Sequence, residues 1–383
     1  MADTFPLSGL KVVTIEQAVA APFCTCRLAD AGATVIKVER PEGDFARLYD
    51  DVARGQSSYF VWLNRGKRSV AIDIASEAGR DTLARLVSEA DVLVQNLKPG
   101  ALAKLGFDPD QLREAHPALI ICSISGYGEG GPLAARKAYD LLIQAESGLA
   151  SITGGPQEPA RVGISIVDIA TGATAYAAIL EAIILRQRTG SGAHIRVSMF
   201  DVMAEWLTVP LLQEEAGQSP KRVGLAHPSI APYGVFDSSD GQPLLISIQS
   251  DREWRQFCRH VLKDERLGLD DRFATNIARV RHRAETDQLV AQAFAKLPCA
   301  DLAEALDRAE IAFAQLNDMA ALSRHPHLRR IAVATPAGPV QLPAPAPIWD
   351  KEAPYRFGAV PALGEGAEPD DDGEAPPAGT PRE

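Results

Sequence analysis

One acidic residue, Asp168, stands in an otherwise apolar stretch that runs from Arg161 to Gly172. A run of β-forming residues precedes it, and a long apolar helix pattern covers 173–185. Asp168 is therefore expected at or near a junction between a strand and a helix. A carboxylate in such surroundings must be paired, hydrogen-bonded or used in chemistry. Two hypotheses follow, a helix N-cap, for which Asp is a preferred residue, and a catalytic carboxylate.

The elements around Asp168 alternate between strand and helix patterns over the first 200 residues. A helix pattern with Pro22 in its first turn follows the first strand, and another covers 77–90. Strands are predicted at 11–15, 34–39, 69–74, 91–96, 119–124 and 194–199. This alternation predicts an α/β fold with a Rossmann-like parallel sheet covered by helices on both faces.

The pattern changes in the second half of the chain. A hairpin is predicted from strands at 233–236 and 243–248, followed by helices at 251–263, 284–297 and 299–309. These elements predict a smaller α+β domain. The predicted organisation is a large domain over 1–205, a linker over 206–232, a small domain over 233–320, a return segment to the large domain over 321–360, and a flexible tail over 361–383, which has few apolar residues to bury.

Composition narrows the classes of function. The net charge of −11 argues against a nucleic-acid partner. No secretory signal pattern and no apolar run of about 18 residues is present, so neither secretion nor a membrane partner is expected. Five cysteines favour a cytoplasmic location over a disulfide framework, and no metal-ligand spacing occurs. The first strand is followed by Glu16-Gln-Ala-Val-Ala-Ala-Pro22, so the glycine fingerprint for dinucleotides is missing.

Several separated segments, taken in order over residues 8–205, resemble the class III CoA-transferases. The segments are Leu10-Lys-Val-Val with Ala20-Ala-Pro22, Leu28 to Arg40, Asn64-Arg-Gly-Lys-Arg-Ser69, Asp91 to Asn96, Ser125-Gly-Tyr-Gly128, Lys137-Ala-Tyr-Asp140, Asp168-Ile-Ala-Thr-Gly172 and Val197 to Asp201. Each segment alone is weak, but the ordered set is specific. The resemblance implies that Asp168 is a nucleophile that carries CoA as a thioester, with donors for the oxyanion near Gly172 or in a small-domain loop.

The resemblance also implies the other site residues. Asp140, Tyr139 and Gln17 are expected to support catalysis, although a helix cap is the alternative for Asp140. For the basic residues the alternative is a solvated surface charge, and for the apolar ones a place in the core. The residues expected to bind CoA are Val19, Arg40, Ile72, Asn96, Leu97, Lys104, Lys137 and Tyr139. A CoA thioester is then the substrate, and neither a metal nor a permanently bound cofactor is expected.

Two departures from formyl-CoA transferase concern specificity. Val19 stands where that enzyme has a glutamine, and no glycine-rich loop follows Tyr233. The sequence contexts of residues 137–145 and 232–236 instead look closest to members that use succinate, mesaconate, itaconate or citramalate. A second carboxylate requires a cation, and the candidates are Arg47, Arg65, Arg161 and His227.

Two alternatives to a transferase remain. One is an α-methylacyl-CoA racemase, which uses a His and an Asp as acid and base; here Tyr139 occupies the His position, and tyrosine is a poor base near neutral pH. The other is a CoA-binding protein without catalysis. The resemblance further implies an interlocked homodimer, in which the small domain of one subunit completes the active site of the other.

Overall fold

The computed structural model describes residues 5–349 and 355–366. Its strands along the chain are β1 Lys11–Ile15, β2 Thr34–Glu39, β3 Lys67–Ala71, β4 Val92–Gln95, β5 Ile120–Ser125, β6 His194–Ser198, β7 Tyr233–Asp237, β8 Pro243–Ser247, β9 Ala312–Gln315, β10 Arg330–Val333 and β11 Val340–Pro343.

The helices follow the same chain order. They are α1 Ala20–Asp30, α2 Ser58–Asn64, α3 Glu77–Ser88, α4 Ala101–Lys104, α5 Pro109–Ala115, α6 Asp140–Glu146, α7 Leu149–Ile152, α8 Ile166–Thr189, α9 Met199–Trp206, α10 Thr208–Glu215, α11 Asp251–Phe257, α12 Asn276–Arg281, α13 Arg283–Phe294, α14 Cys299–Arg308 and α15 Met319–Ser323. Short 3₁₀ turns occur at Phe45–Leu48 and Glu265–Gly268, and a π turn, Cys258–Leu262, continues α11.

The larger compact unit contains a six-stranded sheet in the order β3-β2-β1-β4-β5-β6. All neighbouring strands pair in parallel. The four residues of β4 are all buried, as expected for a strand covered on both faces. The predicted α/β fold is confirmed. Because the strand order reverses between β1 and β4, the carboxyl ends of these strands form the crevice in which such sheets bind ligands.

Helix α8 is the central helix of this unit and packs against α1, β5 and β6. Gly172 permits this packing, because a Cβ atom added there would lie 2.4 Å from the carbonyl oxygen of Ala20. By length and composition alone, α8 is also apolar enough to cross a membrane. Burial of Val167, Ala175 and Ile179 shows that it forms part of the protein core.

The smaller compact unit comprises residues 148–161 and 209–328. Its sheet has the order β7-β8-β9, with antiparallel pairs, and the predicted hairpin forms its first two strands. Its core is built on Trp254, Phe257 and Phe294. The described residues of 329–366 belong to the larger unit. There β10 and β11 form a hairpin, and Gly366 donates a backbone hydrogen bond to Ser69. The predicted flexible tail lies outside the described residues from 367 onward.

Two local expectations are corrected. No strand precedes Asp168: residues 161–165 are irregular and α8 begins at Ile166, so that Asp168 lies within its first turn. Ser165, not Asp168, is the N-cap residue. The third strand covers Lys67–Ala71 and not 69–74, because the chain leaves the sheet after Ala71. The residues that follow it, Ile72 and Asp73, line a cavity.

Candidate active site

A cavity of about 380 Å³ lies at the carboxyl ends of the first four strands. Each strand contributes the residues that follow it, Gln17 after β1, Arg40 after β2, Ile72 after β3 and Leu97 after β4. The structure therefore brings together four of the residues that the sequence assigned to the site. The position is the reversal point of the sheet, where open α/β sheets bind their ligands.

Asn96 holds the loop after β1 in place. Its side-chain oxygen accepts from the main-chain N–H of Gln17 at 3.0 Å, and its side-chain nitrogen donates to the Gln17 carbonyl at 2.9 Å. The next residue, Ala18, has a positive φ of 64°, which is uncommon for a residue other than glycine. Asp44 accepts a hydrogen bond from its N–H. The loop is thus fixed from two sides.

Buried ion pairs lie beneath this loop. Glu16 accepts from Lys67 at 2.6 Å, and Lys37 donates to Asp44 at 2.8 Å; the side chains of Glu16, Lys37 and Lys67 are fully buried. Lys67 and Lys37 hold the pKa of Glu16 below its usual value against the opposing effect of burial. Burial lowers the pKa of Lys67, whereas the carboxylates of Glu16 and Asp44 raise that of Lys37. The network, which no short motif signals, ties the loop after β1 to Asp44.

The remaining residues predicted to bind CoA lie outside the cavity lining. Val19 is buried at the start of α1. Lys104 is exposed at the end of α4, and Lys137 is exposed before α6. Tyr139 is the N-cap residue of α6 and is 58% exposed.

Asp140 and Asp168 form the carboxylate pair of the larger unit. Asp140 Oδ1 accepts hydrogen bonds from the main-chain N–H groups of Val167, at 2.8 Å, and Asp168, at 3.2 Å. The first turn of α8 is therefore capped by a residue from another helix, while the side chain of Ser165 makes no cap bond. The cap function considered for Asp140 is present, but on α8.

The electrostatic environment of Asp168 is unusual for an aspartate. Burial, and then the negative charge of Asp140, raise its pKa to about 7. Its side chain is partly buried and makes no hydrogen bond among the described residues. The positive end of a helix normally favours the ionised form, but here Asp140 occupies the N–H groups at that end.

Two residues near this pair were missed in the sequence. Gln144, fully buried on α6, donates to Asp140 Oδ2 at 2.7 Å. Its spacing of four residues from Asp140 is the signal that predicts contact on a helix. Tyr49 is the second: burial and the charges of Asp44 and Asp168 raise its pKa to about 12. No local pattern predicts its proximity to Asp168.

Two of the cations considered for a second carboxylate are already paired. Arg65 donates to both carboxylate oxygens of Asp30. Arg47 donates twice to Glu39 and stacks over Phe60 at 3.7 Å. Neither guanidinium is therefore available without breaking a buried pair.

The other two cations lie in the smaller unit. Arg161 is exposed and forms no ion pair within the described ranges. His227 is partly buried, and its Nδ1 accepts from the N–H of Ser229 at 3.1 Å, which leaves Nε2 as the protonated nitrogen of the neutral ring. Burial and Arg283 lower the pKa of His227.

The structure also shows the state of the cysteines and whether side chains are placed to bind a metal. Cys24, Cys26, Cys122, Cys258 and Cys299 are all free thiols. Within residues 5–349 and 355–366, no group of three His, Cys, Asp or Glu side chains is placed to hold a metal ion.

Comparison with known proteins identifies the family to which the protein belongs. The chain matches CoA-transferase family III over residues 7–367 and belongs to that family. The resemblance seen in the sequence is thus confirmed, as is the prediction of a CoA-transferase enzyme.

Individual relatives match over nearly the whole chain. The sequence is 36% identical to the succinate–glutarate CoA-transferase of Agrobacterium fabrum, covering 94% of this chain and 93% of that protein. It is 35% identical to the acetyl-CoA:oxalate CoA-transferase of Acetobacter aceti, with the same coverage of each. The crystal structure of a CaiB/BaiF family protein from Brucella suis matches with a TM-score of 0.79 and 38% identity, covering 95% of this chain and 97% of that one.

Proposed function

We propose that this protein moves CoA from succinyl-CoA or another short acyl-CoA to a short dicarboxylic acid, and that Asp168 carries the CoA between them. The observation that supports this proposal most strongly is the environment of the Asp168 carboxylate. It is partly buried, lacks a hydrogen-bond donor among the described residues, and lies beside the fixed carboxylate of Asp140. A strongly raised pKa is typical of groups that react.

The chemistry requires only carboxylates and a thioester. The Asp168 carboxylate attacks the carbonyl carbon of the acyl-CoA, and the C–S bond breaks to give a mixed anhydride and CoA thiolate. The thiolate attacks the Asp168 carbonyl of the anhydride, which releases the first acid as a carboxylate and leaves CoA as a thioester on Asp168. The acceptor carboxylate reverses these steps, so that no net proton or electron is consumed and the thioester energy is retained.

The surroundings of Asp168 suit a nucleophile. A carboxylate with a raised pKa is more basic, and it loses less solvation when it attacks. The N–H groups near Gly172, expected as oxyanion donors, lie inside α8 and belong to its helical hydrogen-bond pattern, whereas a donor from a small-domain loop stays a prediction. Tyr49 retains its phenol proton at neutral pH and is a candidate donor.

The cavity at the carboxyl ends of the strands is the proposed CoA site. Arg40 provides a positive charge for a phosphate group, while Ile72 and Leu97 provide apolar walls. Four further residues are proposed to bind CoA because the resemblance to the family implies it: Val19, Lys104, Lys137 and Tyr139. Asn96 acts in this proposal by fixing Gln17.

The relatives support a dicarboxylate as the acceptor, since their names include glutarate and oxalate. Val19 and the segment after Tyr233 depart from formyl-CoA transferase, but the Acetobacter aceti relative keeps oxalate among the acids to test. With Arg47 and Arg65 engaged in ion pairs, Arg161 remains the proposed cation for the second carboxylate, and the Nε2–H of the neutral His227 ring is the other proposed donor.

We further propose a cytoplasmic homodimer that binds no permanent cofactor and no membrane. Large apolar side chains are exposed in the larger unit, among them Leu48 at 87%, Leu141 and Leu142. Such surface is typical of a subunit interface. Free thiols at all five cysteines suit a reducing compartment.

The test is a screen of acceptor acids with succinyl-CoA and acetyl-CoA as donors. Glutarate, mesaconate, itaconate, citramalate and oxalate are compared with the monocarboxylate butyrate, and Asp168→Ala is the control. We expect transfer to a dicarboxylate that the variant abolishes. Transfer by Asp168→Ala at the wild-type rate would refute the role of Asp168.

A second experiment with the same purified protein distinguishes a transferase from a racemase. The protein is incubated with a chiral 2-methylacyl-CoA in deuterated water and without an acceptor acid. We expect no solvent deuterium at the α-carbon, because Tyr139 replaces the histidine base. Deuterium incorporation would favour the racemase.

A further inference from the structure

Gln144 is a buried polar residue outside the residues assigned above. It lies on α6, one helical turn after Asp140, and its side chain is fully excluded from solvent. Its Nε2 donates to Asp140 Oδ2 at 2.7 Å, and its Oε1 accepts from the N–H of Val162 at 2.9 Å. A buried amide with both ends bonded has one satisfied orientation, because a carboxylate accepts and an N–H donates.

These contacts complete the coordination of Asp140. One of its oxygens accepts from Val167 and Asp168, and the other accepts from Gln144. Gln144 thus connects the irregular segment before α8, through Val162, to the carboxylate that caps α8. Both ends of the segment 162–168 are held by groups on α6.

We infer that Gln144 is a positioning residue for Asp168, acting by holding the Asp140 carboxylate against the first turn of α8. This inference rests on the proposed function of Asp168. Without the Gln144 amide, Asp140 loses its only side-chain donor among the described residues, and Oδ2 is no longer held while Oδ1 keeps its bonds to α8. The N–H of Val162 loses its acceptor at the same time, so the segment that leads into Asp168 is loosened.

Two groups in the larger unit interact electrostatically with Asp168. Asp140, at the start of α6, raises the pKa of Asp168 by its charge, and Tyr49, after the 3₁₀ turn Phe45–Leu48, has its own pKa raised by Asp168. Neither residue is replaced by a substitution at Gln144, and Gln144→Glu adds one titratable group beside Asp140, so a pH-dependent ratio of variant to wild type reports on the contact with Asp140.

Gln144→Glu is the informative variant. The glutamate side chain keeps an oxygen acceptor for Val162 at every pH, but it donates to Asp140 only when it is protonated. At about pH 8 it repels Asp140, and we expect kcat to fall by about tenfold or more, the usual effect of losing a hydrogen bond to a charged group. As the pH is lowered, kcat of the variant relative to wild type should rise.

The experiment measures kcat and KM for succinyl-CoA between about pH 5.5 and 8 for wild type, Gln144→Glu, Gln144→Met and Asp168→Ala, with folding checked by circular dichroism. We expect an unchanged KM, because Gln144 lies outside the cavity lining, and a pH-independent loss of kcat for Gln144→Met. A folded Gln144→Glu variant with a pH-independent ratio to wild type would overturn this inference alone. Activity of Asp168→Ala would instead overturn the proposed function on which it rests.

Discussion

Asp140 accepts a hydrogen bond from the main-chain N–H of Asp168 at 3.2 Å, so one carboxylate caps the helix turn that carries the other. The arrangement places two acidic side chains together and gives the available donors to Asp140. Burial and the charge of Asp140 raise the pKa of Asp168, and its side chain accepts no hydrogen bond from the described residues. In the proposed function, this difference assigns the supporting role to Asp140 and the reactive role to Asp168.

The first prediction concerns the pH dependence of kcat. Because the ionised form of Asp168 must attack, kcat should fall as the pH drops through about 7, the raised pKa of this group. Asp140→Asn removes the neighbouring charge and should move this acid limb to lower pH. Glu146→Gln, which removes an exposed charge at the end of α6, is the matched control and should leave the limb in place. A wild-type acid limb near the ordinary aspartate value would contradict the assignment.

The second prediction concerns stability. The pKa of Asp168 is about 7 in the folded protein against 3.8 for the reference group. Between these values the folded state binds more protons than the unfolded state, so the free energy of unfolding decreases as the pH rises. Asp168→Asn should remove this loss and be more stable than wild type, by up to about 4 kcal/mol above about pH 7.

Thermal unfolding of both proteins between about pH 5 and pH 8 measures this difference. The gain in Tm should grow as the pH increases across that range. An equal gain at every pH would show that the substitution acts through packing and not through the charge.

The third prediction concerns the proposed CoA site. Arg40→Ala should raise KM for the acyl-CoA by roughly tenfold, the usual effect of one charge-assisted hydrogen bond, with little change in kcat. Arg85→Ala, which removes an exposed arginine on α3 outside the cavity lining, is the control. Steady-state kinetics with a saturating acceptor acid measures both. Equal KM values for the two variants would argue against phosphate binding by Arg40.

The fourth prediction concerns the contact between α8 and α1. An added methyl group at Gly172 meets the carbonyl oxygen of Ala20 at 2.4 Å and the Cβ of Phe23 at 2.9 Å, so Gly172→Ala should lower the free energy of unfolding by about 1–3 kcal/mol. At Gly130 an added Cβ meets nothing within 4 Å, and Gly130→Ala should be nearly neutral. Denaturant unfolding compares the two variants; similar losses for both would contradict the close approach.

Much of the large domain was predictable from sequence because its signals are local. The bounds of β1 and β2 agree with the prediction, since both strands are apolar runs flanked by polar or turn residues. The sequence pattern predicts that α8 begins at residue 173, because Ile166 and Val167 are β-branched and favour a strand. In the structure α8 begins at Ile166, and Ser165 forms no side-chain cap. The donors of that turn are satisfied by Asp140, 26 residues earlier than Ile166, and no local pattern encodes such a cap.

The site was predictable to a similar extent. Gln17, Arg40, Ile72 and Leu97 follow successive strands, so the parallel sheet brings them to one edge. The roles of Arg47 and Arg65 were not predictable, because their partners Glu39 and Asp30 are chosen by tertiary packing. The buried charged side chains around Glu16 come from distant segments of the chain, and only the folded protein brings them together.

Whether Asp168 carries CoA as a thioester is tested most directly by mass analysis of the protein after brief incubation with succinyl-CoA alone. We predict an adduct of CoA less one water on the peptide that contains Asp168, removed by hydroxylamine or by an acceptor acid and missing in Asp168→Asn. An adduct on another residue, or transfer to an acceptor by an Asp168→Asn protein that forms none, would contradict it.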